Sequence, residues 1–346
     1  MDNPFTITFG KQPNKLIKRY EDTDRIVSTF ISENAVSQTF LIEGIRGSGK
    51  TVLMTTTAKQ LEEKKDWIVI NLNPTMDLLA NLALRLDDIC NLKSDLFSKG
   101  FNVSVAGFGL GINADVKNTD YVGIIDKAFK KLKNKKKVLI TIDEVQHDNN
   151  MRIFASQFQI FVRQDYPIFL IMTGLHENID EIQNDPALTF LLRTPKIVTG
   201  PLSMIQISRN YREIFKIGEE KGQELANLTR GYAFAFQALG VACWDHGTDK
   251  MNAVLEEYDD LLDDFVYKKI WTMLSEREKA VVRAISEDEV ATGEICKRIS
   301  MNHGTFSRYR ENLISKSIAE SNRYGYLSLT LPRFYEVTKN YRVATG

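Results

Sequence analysis

Residues 39 to 51 read TFLIEGIRGSGKT, and few local patterns leave a chain less freedom. A short apolar run suited to a buried strand leads straight into Gly44, Ile45, Arg46, Gly47, Ser48, Gly49, Lys50 and Thr51, the spacing G-x-x-x-x-G-K-T. The glycines let backbone N–H groups curl around a phosphate chain where a Cβ would clash, and the helix that follows points its positive end at the same anion. Val52, Leu53, Ala58 and Leu61 give that helix its apolar spacing. Lys50 is expected to reach the β- and γ-phosphates. Thr51 is expected to place its hydroxyl on Mg²⁺, an ion that prefers oxygen ligands and keeps several waters. The expected nucleotide-binding residues are therefore Gly44, Gly47, Ser48, Gly49, Lys50 and Thr51.

A phosphate loop alone does not separate kinases, motors and switches, so the second half of the chemistry has to be found elsewhere. Residues 138 to 144, VLITIDE, form a continuous apolar strand ending in two acids, as expected of a strand buried on both faces in a parallel sheet. Asp143 is expected to hold the Mg²⁺ shell through water. Glu144, one step beyond, has the chemistry to polarise an attacking water, a role that hydrolysis needs and a small-molecule kinase does not. The plainer alternative is that Glu144 opens a solvated loop with Gln146 and Asp148. The next apolar strand, PIFLIMTG at 167 to 174, ends with Thr173, a candidate for contact with the γ-phosphate or the attacking water, or else an ordinary turn residue. Arg193 precedes a fifth short strand, Lys196 to Thr199. It is either a surface charge or an arginine finger reaching a neighbouring protomer's nucleotide.

At roughly 150 residues per domain, a chain of 346 residues predicts two to three domains. Strand-like runs at 39–43, 67–72, 138–142, 168–173 and 196–199 alternate with helical stretches, which predicts an α/β fold with a five-stranded parallel sheet. Residues 1–200 make up this core. Within it, residues 98–117 alternate apolar and polar positions about Gly107, Gly109 and Gly111 and read as an inserted hairpin rather than a second nucleotide loop. Residues 201–264 become helical and acidic and read as a helical lid. Lys plus Arg and Asp plus Glu are 45 each, so the chain has no net field to draw nucleic acid or a membrane. The balance is uneven, however: residues 265–346 hold 14 basic against 9 acidic side chains. No apolar stretch approaches eighteen residues, and no basic segment followed by an apolar run opens the chain. Three scattered cysteines, an odd number and never in a C-x-x-C pair, argue against a disulfide framework and a thiolate zinc site. These features together point to a soluble protein of the cytoplasm that engages no membrane.

The same C-terminal segment carries helix-turn-helix punctuation: SEREKAVVRAIS, then GEICKRIS, then a short turn into TFSRYRENLIS. On the third helix Phe306, Tyr309, Leu313 and Ile314 share one face, while Thr305, Arg308 and Asn312 face out and are the expected contacts to double-stranded DNA. IAESNRYGYLSLTL reads as two strands joined at 322–325, the wing of a winged helix. The alternative is a protein-interaction module with the charge as a solvated face.

The order IEGIRGSGKT, ITIDEVQH, LIMTGLHENI, TFLLRTPKI, GPLS, TRGYAFAFQALG and a C-terminal winged helix resembles the AAA+ P-loop ATPases of the STAND and origin-recognition type, bacterial and archaeal ATP-binding proteins among them. The resemblance spans nearly the whole chain. It implies ATP with Mg²⁺ as the cofactors, slow hydrolysis coupled to a conformational switch, and a nucleotide-dependent homo-oligomer or a protein partner. It also implies that the opening segment wraps the adenine. The family's Gly-Arg pair stands here as Lys18-Arg19, and its Gly-x-Pro lid motif as Gly231-Tyr232-Ala233. Two functions fit the resemblance: an ATP-hydrolysing switch acting on DNA, and a STAND-like signalling or scaffold ATPase whose winged helix binds protein.

Overall fold

The computed structural model describes residues 2–8, 15–92, 120–286, 289–339 and 341. The expected hairpin at 98–117 lies outside them. The chain divides into two compact units, one of residues 21–42 and 54–197, the other of residues 1–20, 43–53 and 198–346.

The first unit is built on a parallel sheet. Its elements in chain order are α1 (Tyr20–Ile31), β1 (Thr39–Glu43), α2 (Lys50–Glu62), β2 (Trp67–Leu72), α3 (Leu78–Cys90), α4 (Tyr121–Leu132), β3 (Lys137–Ile142), α5 (Asn149–Arg163), β4 (Ile168–Gly174), α6 (His176–Gln183), a 3₁₀ helix (Pro186–Arg193) and β5 (Lys196–Val198). The strand order is β2-β3-β4-β1-β5. Trp67 lies opposite Lys137 and Leu72 opposite Ile142 in one parallel pair, and Val138 lies opposite Ile168 in the next. Every residue of β1 and β4, and all but the first of β3, is buried. Covering on both faces removes any reason for polar alternation, which is why these strands read as unbroken apolar runs. One face packs Ile140, Leu170, Phe129 and Phe158 into the main core. An aromatic group of Phe30, Phe40, Trp67 and Phe169, with centroids 4.9 to 6.4 Å apart, forms a second cluster, and Lys137 Nζ lies 5.4 Å above the Trp67 ring. Aspartates start three helices: Asp77, Asp120 and Asp148 accept from the backbone N–H groups of Ala80, Gly123 and Met151, satisfying donors that a helix start leaves open.

The second unit is helical, with one small sheet. It runs α7 (Met204–Phe215), α8 (Glu219–Thr229), α9 (Ala233–His246), α10 (Met251–Leu262), a π turn (Asp263–Tyr267), α11 (Lys268–Thr272), α12 (Glu276–Ala284), β6 (Val290–Ala291), α13 (Thr292–Arg298), α14 (His303–Ser315), β7 (Ala319–Glu320), β8 (Tyr326–Leu329) and α15 (Phe334–Thr338). β8 pairs antiparallel with both β6 and β7. One continuous hydrophobic core runs from Phe5 through Tyr211, Phe236, Tyr258 and Tyr267 to Val282, Leu313, Leu327 and Phe334. α9 is apolar nearly all round, as a helix buried within such a core must be. Three buried phenols tie the unit crosswise: Tyr211 donates to Phe236 O, Tyr258 to Leu228 O and Tyr267 to Pro332 O. Burial pushes all three hydroxyl pKa values well up, so they stay donors at any working pH. α12 opens with a full capping box of Ser275 and Glu278, and the buried Glu278 also pairs with Lys316 just after α14 at 3.0 Å. Among the described residues no helix is long and apolar enough to cross a membrane.

Candidate nucleotide site

The phosphate loop belongs to the second unit, and its shape is enforced from several directions. Gly47 and Gly49 have φ of 75° and 93°, the left-handed region that a Cβ disfavours. Ser48 N–H donates to Ile45 O, and Leu53 N–H to Gly49 O as α2 begins. Lys50 is buried, its Nζ 3.0 Å from both Gly44 O and Ile45 O, so a cation already sits within the curl of the loop. Ser48 Oγ and Thr199 Oγ1 share a hydrogen bond of 2.6 Å, and Thr199 also donates to Glu43 O. A Cβ on Gly44 would collide with that threonine hydroxyl.

Three successive loop carbonyls are held by distant residues. The Tyr232 hydroxyl donates to Arg46 O, Phe234 N–H to Gly47 O at 3.0 Å, and the Arg19 guanidinium to Ser48 O at 3.1 Å and to Gly200 O. In a trans peptide plane a C=O and the next N–H point opposite ways. Fixing these carbonyls therefore turns the N–H groups of Gly47 and Gly49 away from Tyr232 and Arg19, the arrangement an anion cradle requires. The chemistry of this loop, backbone N–H groups beside the buried Lys50 cation, is of the kind that could hold a polyphosphate. Thr51, half-buried at the start of α2, supplies a hydroxyl of the kind Mg²⁺ accepts.

The acidic pair lies in the first unit. Thr173 is wholly buried; its hydroxyl donates to the Asp143 carboxylate and accepts from Glu144 N–H at 3.1 Å. Val145 N–H donates to Thr173 O at 2.8 Å. One residue of β4 thus holds three consecutive residues after β3. Glu144 has φ of 55°, a conformation that costs a non-glycine residue about 1–3 kcal/mol and persists only where neighbours enforce it. Its side chain is exposed, and that of Asp143 half-exposed. Thr173 therefore acts on the acidic loop itself, a use that sequence reasoning, which looked for a ligand contact, did not foresee. Arg193 ends the 3₁₀ helix with an exposed side chain that makes no ion pair among the described residues.

In the C-terminal part of the second unit, α14 buries Phe306 and Leu313 and half-buries Tyr309 and Ile314, while Thr305 and Arg308 are exposed and Asn312 half-exposed. Asn302 caps this helix by accepting from Thr305 N–H. In the turn between β7 and β8, Arg323 stacks 4.0 Å above the Tyr326 ring and Tyr324 is fully exposed.

A parallel sheet in which β1 runs into a phosphate loop and β3 into an acidic pair, accompanied by a helical unit, is the architecture of an AAA+ ATPase. Solved structures similar to this chain include the Walker-type ATPase paby2304 of Pyrococcus abyssi and ORC2 of Aeropyrum pernix. The Pyrococcus protein has a TM-score of 0.64 at 14% identity, over 94% of this chain and 96% of that one. ORC2 with ADPNP and ADP gives 0.60 at 14%, and its ADP form 0.52 at 15%, each over 96% of both chains. The chain has the fold of the origin-recognition type of AAA+ ATPase. A family model described as a domain of unknown function (DUF8462) matches residues 264–336. No curated protein sequence matches the chain.

Proposed function

We propose that this protein is an ATP-binding and ATP-hydrolysing molecular switch that acts on double-stranded DNA through a winged helix formed by residues 265–346. The observation that carries the reading is the phosphate loop: Gly47 and Gly49 at positive φ, their flanking carbonyls tied outward, and Lys50 folded into the curl. Lys50 neutralises the phosphates. Thr51 and Asp143 offer oxygen ligands to Mg²⁺, which when bound draws charge from the phosphoryl oxygens. Glu144 takes the proton of the attacking water, and Thr173 keeps that residue's backbone in place. Arg193 serves a neighbouring protomer's nucleotide in a homo-oligomer. Residues 1–200 are the ATPase core, 201–264 the lid and 265–346 the DNA-facing domain, with Thr305, Arg308 and Asn312 on its outward stripe. Helices α12, α13 and α14, together with the small β6-β8-β7 sheet whose first strand lies between α12 and α13, support the winged-helix reading.

The second reading, a STAND-like signalling or scaffold ATPase whose winged helix engages protein, draws on a different observation. The lid helices and the C-terminal elements share one core, and Arg230, at the end of α8, donates to Leu329 O of β8 at 2.7 Å. Salt-dependent binding to duplex DNA separates the two readings.

Hydrolysis is tested by Glu144→Gln. The variant keeps a side chain of the same size but loses the base, so it should bind ATP as the parent does and turn over at least ~100-fold slower. Equal turnover in the two proteins would remove Glu144 from the mechanism.

A further inference from the structure

Beyond the acidic pair, the loop after β3 carries His147, to which the reading above gives no role. Its Nε2 lies 2.8 Å from Asp185 Oδ2. Arg152, on the first turns of α5, places Nε 2.7 Å from the same oxygen. The other carboxylate oxygen, Oδ1, accepts from Ala187 N–H at 2.8 Å, which caps the 3₁₀ helix ending in Arg193. The Asp185 side chain is only 2% exposed, whereas those of His147 and Arg152 are 33% and 47% exposed.

One buried carboxylate thus joins three pieces of backbone: the loop of Glu144, the start of α5 and the short helix of Arg193. The His147 hydrogen bond, the Ala187 N–H and the Arg152 charge hold the Asp185 carboxyl below the usual carboxylate range, so it remains an ionised acceptor for all three donors. Within the segment from Glu144 to Asp148, the tie to Asp185 adds to the Asp148 N–H bond to Gln146 O at 3.1 Å. Val145 N–H is pinned to β4 and Asp148 caps α5, and His147 lies between them with an exposed Gln146 beside it.

We propose that Asp185, acting through His147, is a positioning residue for hydrolysis, setting together the placement of the Glu144 loop and of the helix that carries Arg193. The proposal rests on the reading of Glu144 as the base. Asp185 touches no reacting atom; it fixes where two exposed groups stand. A loss of placement of about 1 Å in such a group costs up to ~100-fold in rate, while a phosphate loop in the other unit continues to bind nucleotide.

The test uses the full-length protein with ATP and Mg²⁺ and two substitutions at the partly exposed His147, which leave the buried carboxylate and its Arg152 partner intact. His147→Ala removes the donor. His147→Gln keeps an amide nitrogen at a reach close to that of Nε2. The expected result is a kcat at least tenfold lower in His147→Ala, with KM and the Kd for ATP unchanged within twofold, and recovery of most of the parent kcat in His147→Gln. A parent-like kcat in His147→Ala overturns the proposal. So does equal impairment of the two variants, or a loss confined to thermal stability. A parent protein that binds ATP but never hydrolyses it fails at the earlier step, overturning the hydrolytic reading and the proposal with it.

Discussion

The junction between the phosphate loop and the start of α9 lends itself to a direct energetic test at Gly47. An alanine there incurs the left-handed backbone penalty of about 1–2 kcal/mol. Its Cβ would also run into the Tyr232 hydroxyl and lie 3.0 Å from Phe234 Cβ, and forcing atoms into a filled space typically adds about 1–3 kcal/mol. Gly49 is the built-in control. It shares the positive φ, but a Cβ there meets only Ala233 Cβ at 3.5 Å, an ordinary contact. Gly47→Ala should therefore be the more destabilising change by about 1–3 kcal/mol, or about 2–12 °C in Tm at the usual ~2–4 °C per kcal/mol. Tyr232→Phe, which deletes one hydrogen bond, should alone lose about 0.5–1.5 kcal/mol. Combined with Gly47→Ala it should lose less than the sum, because the hydroxyl that clashes is gone, with a coupling of roughly 0.5–3 kcal/mol. Thermal unfolding of the parent, three single variants and the double variant, without nucleotide, measures all of these. Equal penalties at Gly47 and Gly49, or strict additivity with Tyr232→Phe, would refute the placement of α9 against the loop.

Three further outcomes are expected. Lys50→Ala should abolish ATP affinity measurable by calorimetry while leaving the circular dichroism spectrum unchanged, since Lys50 is the cation folded into the loop. Arg193→Ala should lower turnover without weakening ATP binding, and mixing it with Glu144→Gln protein should restore part of the activity; a protein that stays monomeric with ATP refutes this. Affinity for duplex DNA should fall with salt at about −0.9 in log–log slope per phosphate contact, and Arg308→Ala should weaken binding by roughly 1–3 kcal/mol if it reads a base edge; no mobility shift on any duplex at low salt would favour the protein-binding reading.

What the sequence revealed and what it concealed divide along the range of the interactions. The glycines, Lys50 and the apolar runs around Ile140 and Leu170 are local signals, since a residue's own backbone needs or its burial on both faces dictate its type. The five-stranded sheet was legible for that reason. The supports of the site were not. Thr199, Tyr232 and Asp185 act on residues 151, 186 and 38 positions away, and an isolated Thr, Tyr or Asp carries no mark of such a partner. What His147 offers is a single hydrogen bond to a residue 38 positions away. β6, two residues long, is too short for any alternation to be seen. It exists because β8 offers it an edge. The 3₁₀ helix at 186–193 leaves little mark in the sequence, because its start is fixed by the Asp185 cap rather than by helical periodicity.

The ties from Tyr232 and Phe234 to the phosphate loop bear on how the chain is made. The loop is synthesised early, yet the hydroxyl that holds Arg46 O follows 186 residues later. At about 5–20 residues per second of elongation that is a delay of roughly 10–40 s. Through that interval the nascent loop lacks Tyr232 and Phe234, the groups that hold Arg46 O and Gly47 O. A ribosome stalled before residue 232 carries the loop with every glycine and its local hydrogen bonds in place, but with Arg46 O and Gly47 O still unheld by Tyr232 and Phe234.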